Sequence, residues 1–201
     1  MKINGLIVAA GMSRRMGSFK PLLQINGRPM IEQSIRCMLT AGTEEIALVL
    51  GYRGQEIEQT LRQDAGLYAH LHILWNHDYE TTDMLHSVRI GAAGLPACDA
   101  FYLLPGDMPA VNPATLRRLR WIFDGSEKDI IFPAIEGRRK HPPLIASRYL
   151  ERIRTFHSNE GLRALWHELE PQIGSFDADD PGCSIDVDTP RQYDFVCRYM
   201  A

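Results

Sequence analysis

No apolar run in this sequence exceeds five residues, Leu6–Ala10 being one of them, whereas a membrane-spanning helix needs about 20. Lys2 ahead of that run faintly imitates a secretion signal. Asn4 and Gly5 interrupt it and Arg14-Arg15 follow, so the reading is rejected and a cytoplasmic protein is expected. Cysteine is sparse: Cys37, Cys98, Cys183 and Cys197 lie far apart with no C-x-x-C pair, which speaks against a disulfide framework and for buried free thiols. Internal repeats, low-complexity tracts and obvious linkers are absent. Acidic residues are missing before Glu32, while Lys2, Arg14, Arg15, Lys20 and Arg28 fall in that stretch. It therefore carries +5 of a net −3, which leaves −8 for the remainder. A local cation cluster on an acidic chain suits a small anionic ligand. A nucleic-acid backbone would want a longer basic stripe.

What is present is a globular composition: 201 residues, 45% hydrophobic and 23% charged. A chain of this length buries roughly 70% of its unfolded surface without disulfides or a structural metal. Short apolar runs at Ile3–Ala9, Ile46–Leu50, Leu71–Trp75, Ala100–Leu104 and Ile130–Ala134 alternate with helical patterns. The helices are expected from Pro29 to Gly42, around Ile57 and Leu61, over Met84–Ala93, and after the Asn112-Pro113 cap. Strand–helix alternation predicts one α/β domain, Rossmann-like, its mostly parallel sheet covered by helices on both faces. Beyond Glu136 the rhythm loosens into short pieces: Pro143–Ala146, Ser147–Ile153, Glu160–Leu169 and Ile173–Phe176. Thr189-Pro190-Arg191-Gln192 then reads as a capping box opening a last helix. Trp75, Trp121 and Trp166 are expected as core or half-buried packing residues.

The segment after the first strand, Ala9-Ala10-Gly11-Met12-Ser13-Arg14-Arg15-Met16-Gly17-Ser18-Phe19-Lys20, places small residues and three cations at a strand end. Small residues let backbone N–H groups approach an anion, and Arg and Lys neutralise phosphate oxygens. Neither G-x-G-x-x-G nor a G-K-[ST] loop is present. Two acidic turns complement it. Asp107, in Leu103-Leu104-Pro105-Gly106-Asp107-Met108-Pro109, follows a central strand, where open α/β sheets bind ligands. Asp186 and Asp188, in Ser184–Pro190, would share a face if that stretch were a strand. His70 and His72 share a strand face too, but a zinc site there is the lesser reading, and His167-Glu168 is not H-E-x-x-H.

The string from Leu6 to Ile31, with Lys20, Leu22-Leu23 and Gly27-Arg28-Pro29-Met30-Ile31, closely resembles the L-A-A-G-x-S-x-R-M-G-x-x-K-x-L-L…G-x-P-L-I signature of the MobA-like NTP transferases. Among these it is most similar to the molybdenum-cofactor cytidylyltransferases. The resemblance implies an NTP, with CTP favoured because Ala9-Ala10-Gly11 stands where guanylyl relatives more often have A-G-G. It implies nucleotide contacts at Ala9, Ala10, Gly11, Gly106, Thr82 and Ser87, with Arg15 and Lys20 on the phosphates. It also implies Mg²⁺ on Asp107 and Asp188, Asp188 being preferred over Asp186. Arg15, Lys20 and Asp107 are thereby the expected catalytic residues. Gly137–Pro143 resembles the family's G-x-R-G-H-P, which puts Arg139 and His141 on the acceptor side, with Lys140 in place of a Gly. Residues 1–135 would then form the nucleotide-binding part and 136–201 the acceptor-side part. The departure is Asn76–Gly91, one residue longer than the family's N-x-x-W-x-x-G-M-S-S-S-L-R-x-G, where Thr82, Asp83 and Ser87 are the available polar groups. The implied partners are a phosphorylated small-molecule acceptor and a molybdenum enzyme receiving the product, with no nucleic acid or membrane. Transfer to a sugar or alditol phosphate, and a non-catalytic delivery module, are the alternatives.

Overall fold

The apolar runs lack alternation because both of their faces are covered. In the computed structural model, which describes residues 1–12 and 16–201, β1 (Ile3–Ala9) turns Ile3 and Ile7 toward one core and Leu6 and Val8 toward the other. The chain continues through a hairpin, β2 (Gln24–Ile25) and β3 (Arg28–Pro29), into α1 (Met30–Thr40), β4 (Ile46–Leu50), α2 (Gly54–Leu61), α3 (Ala65–Tyr68) and β5 (Leu71–Trp75). It then forms α4 (Met84–Gly94), β6 (Ala100–Pro105), α5 (Pro113–Asp124), β7 (Ile130–Ile135), β8 (Arg138–Arg139) and β9 (Leu144–Ala146). The last elements are α6 (Leu150–Thr155), α7 (Leu162–Glu168), β10 (Ile173–Asp177) and α8 (Pro190–Tyr199). The main sheet runs β10-β7-β9-β6-β1-β4-β5, with β8 paired to β7. β1 is parallel to β4 and β6, β4 to β5, and β10 to β7; only β9 and β8 pair antiparallel. The mostly parallel expectation holds, and strands from both stretches of the chain share the sheet.

One face packs α1, α2 and α5 through Ile31, Ile35, Ile57, Leu61, Leu116 and Leu119. The other packs α4, α6 and α7 through Leu85, Val88, Ile153 and Leu165. A third, small core joins Met16, Ile25 and Met30 of the hairpin region to Val187 and Val196. The hairpin is absent from the sequence-based elements above. Its turn is Asn26-Gly27, both at positive φ (51° and 75°), a pair that favours tight two-residue hairpins. Pro29 therefore ends a strand, and α1 starts at Met30. The Asp186–Asp188 stretch is not a strand: it follows a 3-10 turn (Pro181–Ser184) as irregular chain. Trp121 is 75% exposed on α5 and packs no core. Of the thiols, Cys37 and Cys183 are buried, and Cys98 and Cys197 are half-buried; burial pushes Cys37 up to about 12.

Asp180 ties the end of the chain to the loop after β6. Its Oδ2 accepts hydrogen bonds from Asn112 N (2.9 Å) and Thr115 Oγ1 (2.7 Å), and its Oδ1 accepts from Gly182 N (3.0 Å). The residue is buried, so removing the carboxylate strands donors away from water. Asp180→Ala is expected to lose about 2–4 kcal/mol of unfolding free energy, measured by urea denaturation with an unchanged m-value.

Candidate active site

β1 lies between β4 and β6. The chain runs outward from β1 to β4 and β5 and then crosses back to β6, so the loops leaving β1 and β6 diverge. That reversal opens a crevice at the carboxyl ends of the strands. It forms a cleft of about 350 Å³ lined by Ala9, Ala10 and Gly11 from the β1 end, Lys20, Gly106 and Asp107 from the β6 end, and Asp188; Asn76, Tyr79, Thr82 and Ser87 form a further wall. Among the described residues a side chain added at Gly11 would meet nothing within 4 Å, and Gly11 lines the cleft. At Gly106 the added carbon would sit 2.9 Å from Ile31 Cδ1 and 3.0 Å from Ala9 Cβ, so only glycine lets the β6 turn lie against β1.

Lys20 opens a 3-10 turn, Lys20–Leu22, whose following residue, Leu23, accepts at its carbonyl from Met30 N at 2.8 Å and so joins the hairpin. The Lys20 Nζ lies 2.9 Å from Asp107 Oδ2 and 2.8 Å from Asp188 Oδ1, with the side chain 12% exposed. Burial works against its charge, but Asp107 and Asp188 outweigh burial and hold its pKa above the ordinary lysine value. The backbone fixes both acids. Val187 N donates to Asp107 O at 3.0 Å. Gln192 accepts from Asp188 N at 3.1 Å, while Thr189 caps α8 by accepting from Gln192 N. The capping box thus holds the residue before its cap as well. Asp186 is exposed and accepts from the Gln192 amide at 3.4 Å.

Two carboxylates converging on one cation fit a divalent metal site. A hard cation such as Mg²⁺ takes one or two carboxylates and completes its shell with water and substrate phosphates. Among the described residues no group of three His, Cys, Asp or Glu side chains forms a protein-only cage. His72 instead pairs with Glu45 at 2.9 Å, and His70 meets the Glu44 carbonyl.

The opposite wall is polar and includes the Asp83 carboxylate. Asn76, buried at the end of β5, donates from Nδ2 to Thr82 Oγ1 (3.1 Å) and Ser87 Oγ (3.0 Å) and accepts from Asp78 N at Oδ1 (3.0 Å). Asp83 caps α4 by accepting from His86 N. Asn76 was not among the site residues expected from sequence; its place at a strand end, ahead of two hydroxyls, is a signal that could have found it.

The remaining expected residues separate. Arg15 lies outside the described residues. Arg139 does not line the cleft: its guanidinium pairs with both oxygens of Glu170 (2.7 and 2.5 Å). His141 follows β8, with a cis bond to Pro142. Its Nδ1 is buried and has no hydrogen-bond partner among the described residues. Burial lowers its pKa, opposed by a backbone hydrogen bond at Leu103 and by the Asp107 charge.

The family model described as "MobA-like NTP transferase domain" matches residues 5–173. The molybdenum cofactor cytidylyltransferase of Escherichia coli is 29% identical over 95% of this chain and 93% of its own length. The nicotine blue oxidoreductase of Paenarthrobacter nicotinovorans is 26% identical over 94% of each. The bifunctional protein GlmU of Thermosipho africanus is 27% identical over 80% of this chain, which spans only 34% of that longer protein. In structure, a nucleotidyl transferase from Methanothermobacter thermautotrophicus superposes with a TM-score of 0.82 at 23% identity, covering 99% of this chain and 97% of that one, and shares the fold.

Because folding raises the Lys20 pKa, its contribution to stability is complete below about 10.4, the ordinary value, and fades as pH climbs through the raised folded value. Lys20→Met is expected to cost about 1–3 kcal/mol near neutral pH. It should also flatten the alkaline decline of unfolding free energy seen in the parent, measured by denaturation at a series of pH values from neutral to strongly alkaline.

Proposed function

The chain belongs to the MobA-like NTP transferase family, and on that premise we propose that it is a nucleotidyltransferase that moves CMP from CTP onto the phosphate of molybdenum cofactor and releases pyrophosphate. The observation that carries the reading is the Lys20 ammonium held between Asp107 and Asp188 where β1 and β6 part. CTP is favoured by Ala9-Ala10-Gly11 and by the cytidylyltransferase relative that spans nearly the whole chain. In this reading a molybdenum enzyme receives the product, and the chain works in the cytoplasm. Among the described residues no helix is long and apolar enough to cross a membrane.

An acceptor phosphate oxygen attacks the α-phosphorus, and the bond to the departing pyrophosphate breaks. Both reactants are anions, so charge repulsion is the main obstacle. The acceptor is already ionised near neutral pH, so no side-chain nucleophile is needed, and positioning plus electrostatics carry the acceleration. The open backbone at Gly11 lets phosphates approach its main-chain N–H. Lys20, protonated across the physiological range, neutralises charge on the leaving pyrophosphate, with Arg15 assigned the same task. Asp107 and Asp188 would hold a divalent cation, which when bound clamps phosphate oxygens and draws off charge. Arg139 and His141 stay assigned to the acceptor side, Arg139 exchanging Glu170 for the acceptor phosphate.

Pyrophosphate release is the test, measured with Mg²⁺, each of CTP, GTP, ATP and UTP, and molybdopterin-type cofactor, with sugar phosphates as parallel acceptors. Release is expected with CTP and the cofactor. Asp107→Ala should lower kcat by about 10²–10³. A loss under tenfold would remove Asp107 from the metal site, and silence with every NTP on folded protein would sink the transferase reading.

A further inference from the structure

The buried amide of Asn76 has only one allowed orientation. The backbone N–H of Asp78 must donate, and it meets Asn76 Oδ1 at 3.0 Å. The Nδ2 group therefore faces Thr82 Oγ1 and Ser87 Oγ, and both hydroxyl oxygens accept from it. The two hydroxyls are then left unlike. Thr82 spends its proton on the Asp78 carbonyl at 2.8 Å and keeps only a lone pair. Among the described residues Ser87 makes no donating bond, although it is 3% exposed and lines the cleft. It holds an unspent proton in a nearly dry wall, and a ligand acceptor is the natural partner.

We propose that Asn76 is a positioning residue for base selection: by fixing Ser87 as donor and Thr82 as acceptor, it tunes the cleft to a base edge that pairs an amino group with a bare ring nitrogen. Cytosine and adenine present that edge. Uracil and guanine present the reverse, a carbonyl beside a ring N–H, and would set carbonyl against lone pair and N–H against O–H. The inference rests on the reading that this cleft takes a nucleoside triphosphate. It extends that reading from a nucleotide to a class of base, on grounds independent of the β1 turn.

The test is equilibrium binding of CTP, ATP, UTP and GTP to the full chain with Mg²⁺ and no acceptor. The parent should bind CTP about tenfold or more tighter than UTP, the size of one misplaced hydrogen bond. Asn76→Asp keeps the shape and the bond from Asp78 N but has no proton to give. The Ser87 hydroxyl must then turn toward it, and the CTP-to-UTP preference should fall by about tenfold. Ser87→Ala and Thr82→Val leave the Asn76–Asp78 bond intact and should each erode the same ratio; they decide the matter if Asn76→Asp unfolds. Folded variants with the parent's CTP-to-UTP ratio would overturn the proposal, even if all affinities dropped together. A parent that binds all four NTPs alike overturns it and leaves the transferase reading standing, whereas a parent that binds none overturns both.

Discussion

Two carboxylates and one ammonium meet in a partly buried crevice, and contacts from both sides of the cleft hold them there. Asp107 and Asp188 come from segments 81 residues apart in the chain, and without a cation between them their repulsion would push the β6 loop and the α8 approach apart. At an effective dielectric near 20, two unit charges 4 Å apart interact by about 4 kcal/mol, enough to matter against the marginal stability of a domain. Lys20 supplies the counter-charge at 2.9 and 2.8 Å. The backbone bond from Val187 to Asp107, the Gln192 contact to Asp188 N and the Asp180 tie to Asn112 and Thr115 each hold one side of that triad. Function and stability are therefore coupled here: the contacts that keep the acids converged also close the end of the chain onto the sheet.

Much of this was legible in the sequence because it is local. Unbroken runs such as Ile46–Leu50 mark strands buried on both faces, and the structure returns that strand with the same bounds. The loop after β1 and the Asp after β6 could be assigned to one crevice because parallel strands put their carboxyl ends on the same side. The Thr189 cap was readable from Thr-Pro-Arg-Gln alone, and Thr189 does accept from Gln192 N.

What was not legible depends on distant partners. The preference for Asp188 over Asp186 rests on the family resemblance and not on a physical cause visible in the sequence; that cause is Val187, which anchors in a small core with Met16 and Ile25 while Asp188 faces the cleft and Asp186 faces solvent. Nothing in the sequence signals that Glu170, 31 residues after Arg139, engages both of its terminal guanidinium nitrogens. Trp121 sits in an amphipathic helix pattern, yet its position on α5 points it away from the sheet. The β2–β3 hairpin is the exception: its Asn26-Gly27 turn is a local signal, overshadowed by the helix-start reading of Pro29.

On the proposed reading, the two ends of the cleft divide the recognition of a nucleoside triphosphate by physics. At the charged end Lys20, Asp107 and Asp188 act through Coulomb forces that depend on charge and distance, and every nucleoside triphosphate carries the same phosphates. That end can supply affinity and rate, but it has little means of telling one base from another. At the Asn76 wall the buried groups work through hydrogen bonds, which are directional and carry a heavy penalty when a buried donor faces a donor. A single amide decides the direction there, because Asp78 N fixes Asn76 and Asn76 fixes the hydroxyls. The separation also explains why the segment from Asn76 to Gly91 can depart from the family pattern while the β1 and β6 turns keep it. Phosphate chemistry constrains the charged end to one arrangement, whereas the polar wall can be rebuilt for a different base without disturbing the triad.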